Sequence, residues 1–196
     1  SIHQIEQLFE RKEAVTGIAS GFYDLDKLTS GFQPGDLIIM AGRPSMGKSA
    51  LAVNCGQYAA QHSGKAVGVF SLEMSKESIV MRMLCAEARV SMGRVRNGNL
   101  FDNDLPRLAA AASRLTQIPF FIDDSPALSV LELRAKSRRL MREHPEGLGL
   151  IIVDYLQLMR AHQKVDNREQ EVSLISRSLK GLAKELHVPV IALSQL

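Results

Sequence analysis

Gly42, Gly47, Lys48 and Ser49 stand in the spacing G-x-x-x-x-G-K-S, and each residue type has a task against a phosphate. The two glycines let the backbone turn tightly and bring its N–H groups against phosphate oxygens. Lys48 offers a point charge to β- and γ-phosphates, and the Ser49 hydroxyl is a ligand type for Mg²⁺. The stretch Gly42, Arg43, Pro44, Ser45, Met46, Gly47, Lys48, Ser49 and Ala50 therefore reads as a cradle for a nucleoside triphosphate. A chance Gly-rich turn is the plain alternative. Four such coincidences arise in roughly one chain of this length in a hundred. The flanking run Leu37-Ile38-Ile39-Met40-Ala41 and the helical start Ala50 to Cys55 weigh further against it.

Three polar residues at strand ends extend the chemistry. Asp154 closes the apolar run Leu150 to Val153, where a carboxylate can hold Mg²⁺, or its water, beside Ser49. A loop-capping Asp is the alternative. Glu73 follows the apolar run Ala66 to Ser71, where ligands collect in α/β sheets. It can orient a hydrolytic water, or simply suit the start of a helix. Gln195 closes the final apolar run and can sense a γ-phosphate or serve as an ordinary edge residue. Basic residues gather twice. Arg134, Arg138 and Arg142 share a helix face with Lys136 and Arg139 nearby, which reads as a solvated face. Arg160, Lys164 and Arg168 fall in or beside the loop after Asp154, and there phosphate contacts with nucleic acid are expected. Neither group holds an aromatic, so base stacking is not indicated. His62, His144 and His187 form no metal pair, and Asp123-Asp124 is most simply a loop and cap, although a role near the nucleotide stays open.

Those residues need strands and helices to hold them. Ile2, Ile5, Leu8 and Phe9 predict a short amphipathic helix at the start, to be covered by its own domain or by a neighbouring subunit. Phe22, Leu25 and Leu28 form a small apolar cluster. The first strand, Leu37 to Ala41, has the length of one buried on both faces. A helix then runs to Ser63-Gly64. Strands follow at 66–71, 119–122, 150–154 and 189–195. Ser75 caps a helix to about Val90 with Ile79, Val80, Met83 and Leu84 inward. Asp102 caps another with Leu105, Leu108, Ala109, Ala112 and Leu115 inward. Ser129 and Glu132 form a capping box for a helix to Glu143. A long helix carries Val172, Ile175, Leu179, Leu182 and Leu186 in register. Strands alternating with helices mean a mainly parallel sheet covered on both faces. No internal repeat or low-complexity segment is present.

Composition sets wide bounds. The 196 residues suit one domain with a real core, and 45% hydrophobic and 23% charged content is ordinary for a globular chain. A net charge of +3 does not by itself establish a polyanion partner. Cys55 and Cys85 lack metal-ligand spacing and read as buried thiols. No apolar run is long enough to span a bilayer, and the polar start is not a secretory signal. A cytoplasmic location is expected.

Taken together, Thr16-Gly17 through Gly35-Asp36, the GRPSMGKS loop, Ser71-Leu72-Glu73-Met74-Ser75, Asp154-Tyr155-Leu156-Gln157-Leu158 and Ala192-Leu193-Ser194-Gln195-Leu196 closely resemble the bacterial replicative DNA helicase of the DnaB type. The resemblance runs over nearly the whole chain. It implies a RecA-like P-loop NTPase core over residues 17–196, preceded by a linker helix and connector over 1–16 that docks on the adjacent subunit. It also implies ATP and Mg²⁺ as cofactors and hexameric rings that move on single-stranded DNA and unwind duplex at the fork, with primase and a helicase loader as partners. By the same resemblance Lys48 and Ser49 match the P-loop lysine and Mg²⁺-ligating hydroxyl. Glu73 matches the catalytic carboxylate, Asp154 the Walker B aspartate, and Gln195 the glutamine that relays γ-phosphate state. The family's later strands, pore loops and basic finger find no counterpart, so a truncated motor with weak ATPase activity alone is expected. The rival readings are a DNA-independent RecA-like switch, a strand-exchange recombinase and, last, a small-metabolite kinase.

Overall fold

The computed structural model describes residues 15–159 and 167–196. The expected helix over 2–12, along with Arg160 and Lys164, lies outside them. Elements follow in the order α1 (Tyr23–Thr29), β1 (Leu37–Gly42), α2 (Lys48–His62), β2 (Ala66–Ser71), α3 (Lys76–Ala88), α4 (Met92–Asn97), α5 (Asp104–Leu115), β3 (Phe120–Asp123), α6 (Val130–Glu143), β4 (Leu148–Asp154), a 3₁₀ turn (Leu156–Leu158), α7 (Arg168–Leu186) and β5 (Val190–Gln195). The strands form one sheet in the order β1-β5-β4-β2-β3. All four pairings are parallel.

Side chains alternate across the sheet with period two. Val67, Val69, Leu150, Ile152, Ile191 and Leu193 face α2 and α3, and pack with Ala52, Val53, Cys55 and Ile79. Phe70, Ile151, Val153 and Val190 face the other way, and pack with Leu133 of α6 and with Ile175, Leu179 and Leu182 of α7. Covering both faces explains why β2 and β4 read as unbroken apolar runs, since every residue in them is buried. Gly56 lets α2 approach the sheet. A Cβ there would lie 2.7 Å from Ile152 Cδ1.

Several local expectations change. β1 sits at one end of the strand order and is not buried on both faces; Ile39 is 48% exposed. Of the Phe22, Leu25 and Leu28 cluster, only Leu25 packs on the core, and Leu28 is 85% exposed. Val80 is exposed on α3. α5 keeps part of its predicted facing, with Leu108 and Leu115 packed inward, but Leu105 and Ala109 are exposed and Ala111 is buried in their place. That partial shift has an electrostatic cause. Asp104 is buried, accepts from the Phe101 N–H at 3.0 Å, and is flanked by Arg94 and Arg107 at 3.5 and 3.8 Å. Pinning that carboxylate inward swings Leu105, the next residue, outward. The N-cap is Asn103, not Asp102, and α4 is a short helix that the sequence pattern did not announce. The caps at Ser75 and the Ser129–Glu132 capping box form as expected. Both cysteines are buried, and burial pushes the Cys55 thiol up to about 12, which leaves it inert at neutral pH.

Candidate nucleotide-binding site

Parallel pairing brings all the strand C-termini to one edge of the sheet. Gly42 is in register with Gln195, and Ser71 with Asp154. The residues just past those ends meet in a cavity of about 450 Å³, lined by Ser45, Lys48, Ser49, Glu73, Asp154 and Gln195 among others. This is the crevice beyond the carboxyl ends of the strands where α/β sheets take ligands.

The loop between β1 and α2 makes its last turn at a single glycine. Gly47, the N-cap of α2, has φ +86°, a conformation that glycine adopts without steric cost. Gly42 is different: it ends β1 with no left-handed φ, and a Cβ there would make only ordinary contact with Lys48 at 3.5 Å. Of the two glycines, then, Gly47 carries the turn. Lys48 Nζ donates to the carbonyls of Gly42 at 2.7 Å and Arg43 at 2.8 Å, which holds the ammonium across the loop. Lysine has three donors, and these bonds use two of them. The N-terminus of α2 points its dipole at the same space.

Asp154 is 5% exposed at the end of β4. Burial raises its carboxyl above the usual range. The Ser49 hydroxyl donates to it, the nearby Glu73 carboxylate pushes it further up, and Lys48 and Arg82 pull it down. Two hard oxygen donors in contact suit a divalent cation. Among the described residues no group of three or more His, Cys, Asp or Glu could hold a metal alone. A cation between Ser49 and Asp154 would thus complete its shell with water and phosphate oxygens, the habit of Mg²⁺.

Glu73 is set by the turn after β2. Leu72 N–H donates to the Asp154 carbonyl at 2.7 Å, and Ser71 Oγ closes the turn by donating to the Met74 carbonyl at 2.8 Å. The Glu73 side chain is left exposed on the cavity wall. Gln195 reaches the cavity from β5, next to the start of the loop, where Leu196 N–H donates to the Gly42 carbonyl at 3.3 Å.

Residues 17–196 match the DnaB-like helicase C terminal domain family. The chain belongs to that family. It is 52% identical over 193 residues to the replicative DNA helicase DnaC of Bacillus subtilis (strain 168), covering 98% of this chain and 42% of that protein. Against the replicative DNA helicase DnaB of Geobacillus stearothermophilus the identity is 51%, with the same coverage. The chain thus spans less than half the length of these relatives. Among solved structures, a DnaB-like replicative helicase studied with its interactions with primase superposes with a TM-score of 0.92 at 31% identity, over 100% of this chain and 47% of that one. A second solved chain, described as an ATPase domain, gives 0.93 at 31% identity, over 100% of this chain and 69% of that one. The RadB recombinase, at 0.53 and 23% identity, shares the fold alone.

The remaining sequence candidates divide within this family frame. Arg134 and Arg138 both pair with Glu185 of α7 and so tie α6 to α7, while remaining about half exposed as a solvated face would be. Asp124 accepts from Lys76 N–H at 3.0 Å at the start of α3, Asp123 pairs with Lys136, and neither lines the cavity, as suits a loop and cap. Arg168 bonds to Glu171 and to the Gln157 carbonyl at the start of α7. Sequence reasoning missed Arg82, which enters the cavity from α3. Its signal was a lone arginine on the apolar helix face beside Ile79 and Met83. Tyr155, directly after Asp154, also lines the cavity, with no sequence signal beyond that adjacency. No described helix is long and apolar enough to cross a membrane.

Proposed function

We propose that this chain is the nucleotide-hydrolysing motor of a replicative DNA helicase, which turns Mg·ATP hydrolysis into movement on single-stranded DNA and duplex unwinding at the fork. The observation that carries this reading is convergence. Lys48, Ser49, Glu73, Asp154 and Gln195 line one cavity in a chain of the DnaB-like family. Its relatives are named replicative DNA helicases.

In this reading the Gly42–Ser49 amides and Lys48 bind and orient the phosphates. Ser49 and Asp154 hold the Mg²⁺ that, when bound, neutralises charge on the phosphoryl oxygens. Glu73, on the open wall of the cavity, orients the attacking water and accepts its proton. Arg82 sets positive charge near Asp154 and so offsets the repulsion that the Glu73 carboxylate exerts there. Gln195 follows the γ-phosphate from beside the loop, to which β1–β5 pairing ties it. Single-stranded DNA is the track, with Arg160, Lys164 and Arg168 as its phosphate contacts. A hexameric ring, primase and a loader are the expected partners, on family likeness.

The test is the ATPase rate of the full-length protein with and without single-stranded DNA, beside Glu73→Gln. DNA is expected to stimulate hydrolysis. Glu73→Gln is expected to lower kcat by about a thousandfold, within the range for a lost general base, while nucleotide affinity holds. ATP binding with no response to DNA would overturn the helicase reading and leave a DNA-independent switch.

A further inference from the structure

β4 stops pairing with β5 before β5 ends: their register closes at Val153 and Ala192, whereas β5 continues to Gln195. The chain leaving β4 bends into the 3₁₀ turn Leu156–Leu158, and the Gln157 side chain takes over the pairing. Its Nε2 donates to Ser194 Oγ at 2.9 Å and to the Gln195 carbonyl at 3.0 Å. Its Oε1 accepts from the Gln195 backbone N–H at 3.3 Å. One primary amide thus meets both the donor and the acceptor of Gln195, as the main chain of a neighbouring strand would. Gln157 is half-buried and leaves the chain just past Asp154. On the other side, its main-chain carbonyl accepts from the Arg168 guanidinium at the start of α7.

We propose that Gln157 is a positioning residue. It holds the Gln195 main chain against the nucleotide cavity and ties that position, through its own carbonyl and Arg168, to the head of α7. Gln157 is bonded to both Gln195 and Arg168, and so stands between them. A displacement of Gln195 by the nucleotide is therefore passed to the beginning of α7, and a polyanion that takes hold of Arg168 is felt at Gln195. Gln157 itself does not line the cavity. Its loss is thus expected to uncouple hydrolysis from DNA while leaving hydrolysis itself. This rests on the DNA-stimulated reading above.

The experiment compares the full-length parent protein with Gln157→Ala and Gln157→Glu. Gln157→Ala removes all three side-chain bonds. Gln157→Glu keeps the shape and one acceptor, but sets a carboxylate against the Gln195 carbonyl. It also covers the case in which the alanine variant fails to fold. The readouts are ATPase rate without DNA, its stimulation by oligothymidylate, affinity for a fluorescent nucleotide, and amide exchange at Gln195. In both variants DNA-free hydrolysis and nucleotide affinity are expected to stay within about twofold of the parent. Stimulation by DNA is expected to fall about tenfold, the size of an ordinary coupling between sites, and the Gln195 amide to exchange faster. Undiminished stimulation, or a Gln195 amide that keeps its protection in Gln157→Ala, overturns the proposal while the helicase reading stands. So does a parallel fall in DNA-free rate and nucleotide affinity, which would make Gln157 a simple support of the nucleotide site. A parent that ignores DNA overturns both.

Discussion

Replacing Gly47 and, separately, Gly42 by alanine tests whether backbone conformation or crowding governs the phosphate loop. Gly47 holds φ +86°, and a Cβ built on it meets nothing within 4 Å. The whole cost of Gly47→Ala therefore comes from forcing an L residue into the left-handed region, about 1–2 kcal/mol. Gly42 has no such φ, and its added Cβ would find Lys48 at an ordinary 3.5 Å. Its cost is expected to be below about 0.5 kcal/mol, that of a substitution with no special mechanism behind it. In a chain of 196 residues, 1 kcal/mol moves the melting temperature by about 2–4 °C. Gly47→Ala should thus melt roughly 2–8 °C below the parent and Gly42→Ala within about 2 °C of it. Urea unfolding followed by far-ultraviolet circular dichroism gives the free energies, provided the slope m is shared by all three proteins. Equal losses at the two positions, or none at Gly47, would refute the assignment of the turn to the φ of Gly47.

Asp154 gives a pH signature. Because burial holds its folded carboxyl above the ordinary value, the folded state keeps that proton to higher pH than the unfolded chain. Folding stability is therefore lost as pH rises from the ordinary aspartate pKa of about 3.9 through the raised one. Asp154→Asn should flatten that slope in urea midpoints and stabilise the chain at neutral pH, while weakening binding of Mg·nucleotide; an unchanged slope would show that the group is not penalised by burial. Arg82→Ala should slow hydrolysis about a hundredfold, as expected for losing a preorganised charge beside Asp154 in the site, with partial recovery in Arg82→Lys; steady-state rates equal to the parent would remove Arg82 from the site. Leu179→Ala, at a fully buried position between α7 and the sheet, should cost about 3 kcal/mol by urea unfolding. Leu28→Ala, 85% exposed on α1, should stay within about 0.5 kcal/mol, and a larger loss there would mean that α1 packs more tightly than its exposure implies.

Much of the fold was legible from local pattern. The apolar runs of β2 and β4 are long, rich in β-branched residues and bounded by polar punctuation, because a strand covered on both faces admits nothing else. The Ser129–Glu132 capping box and the period of Val172, Ile175, Leu179 and Leu182 were equally plain, since caps and helix faces are written within a few residues. The spacing of Gly42, Gly47, Lys48 and Ser49 sufficed for a phosphate loop, because its ligand is held by consecutive backbone amides. Facing went wrong where something other than apolar periodicity decided it. α5 turned because buried Asp104 answers to Arg94 and Arg107, and β1 proved half-open because its place in the strand order is a global property. The sequence likewise marked Asp154, Glu73 and Gln195 as candidates without saying that they meet. Only the parallel register, which sets Gly42 beside Gln195 and Ser71 beside Asp154, brings them to one cavity. The tasks of Arg82 and Gln157 became visible only there, because what each side chain does is fixed by contacts with residues far away along the chain.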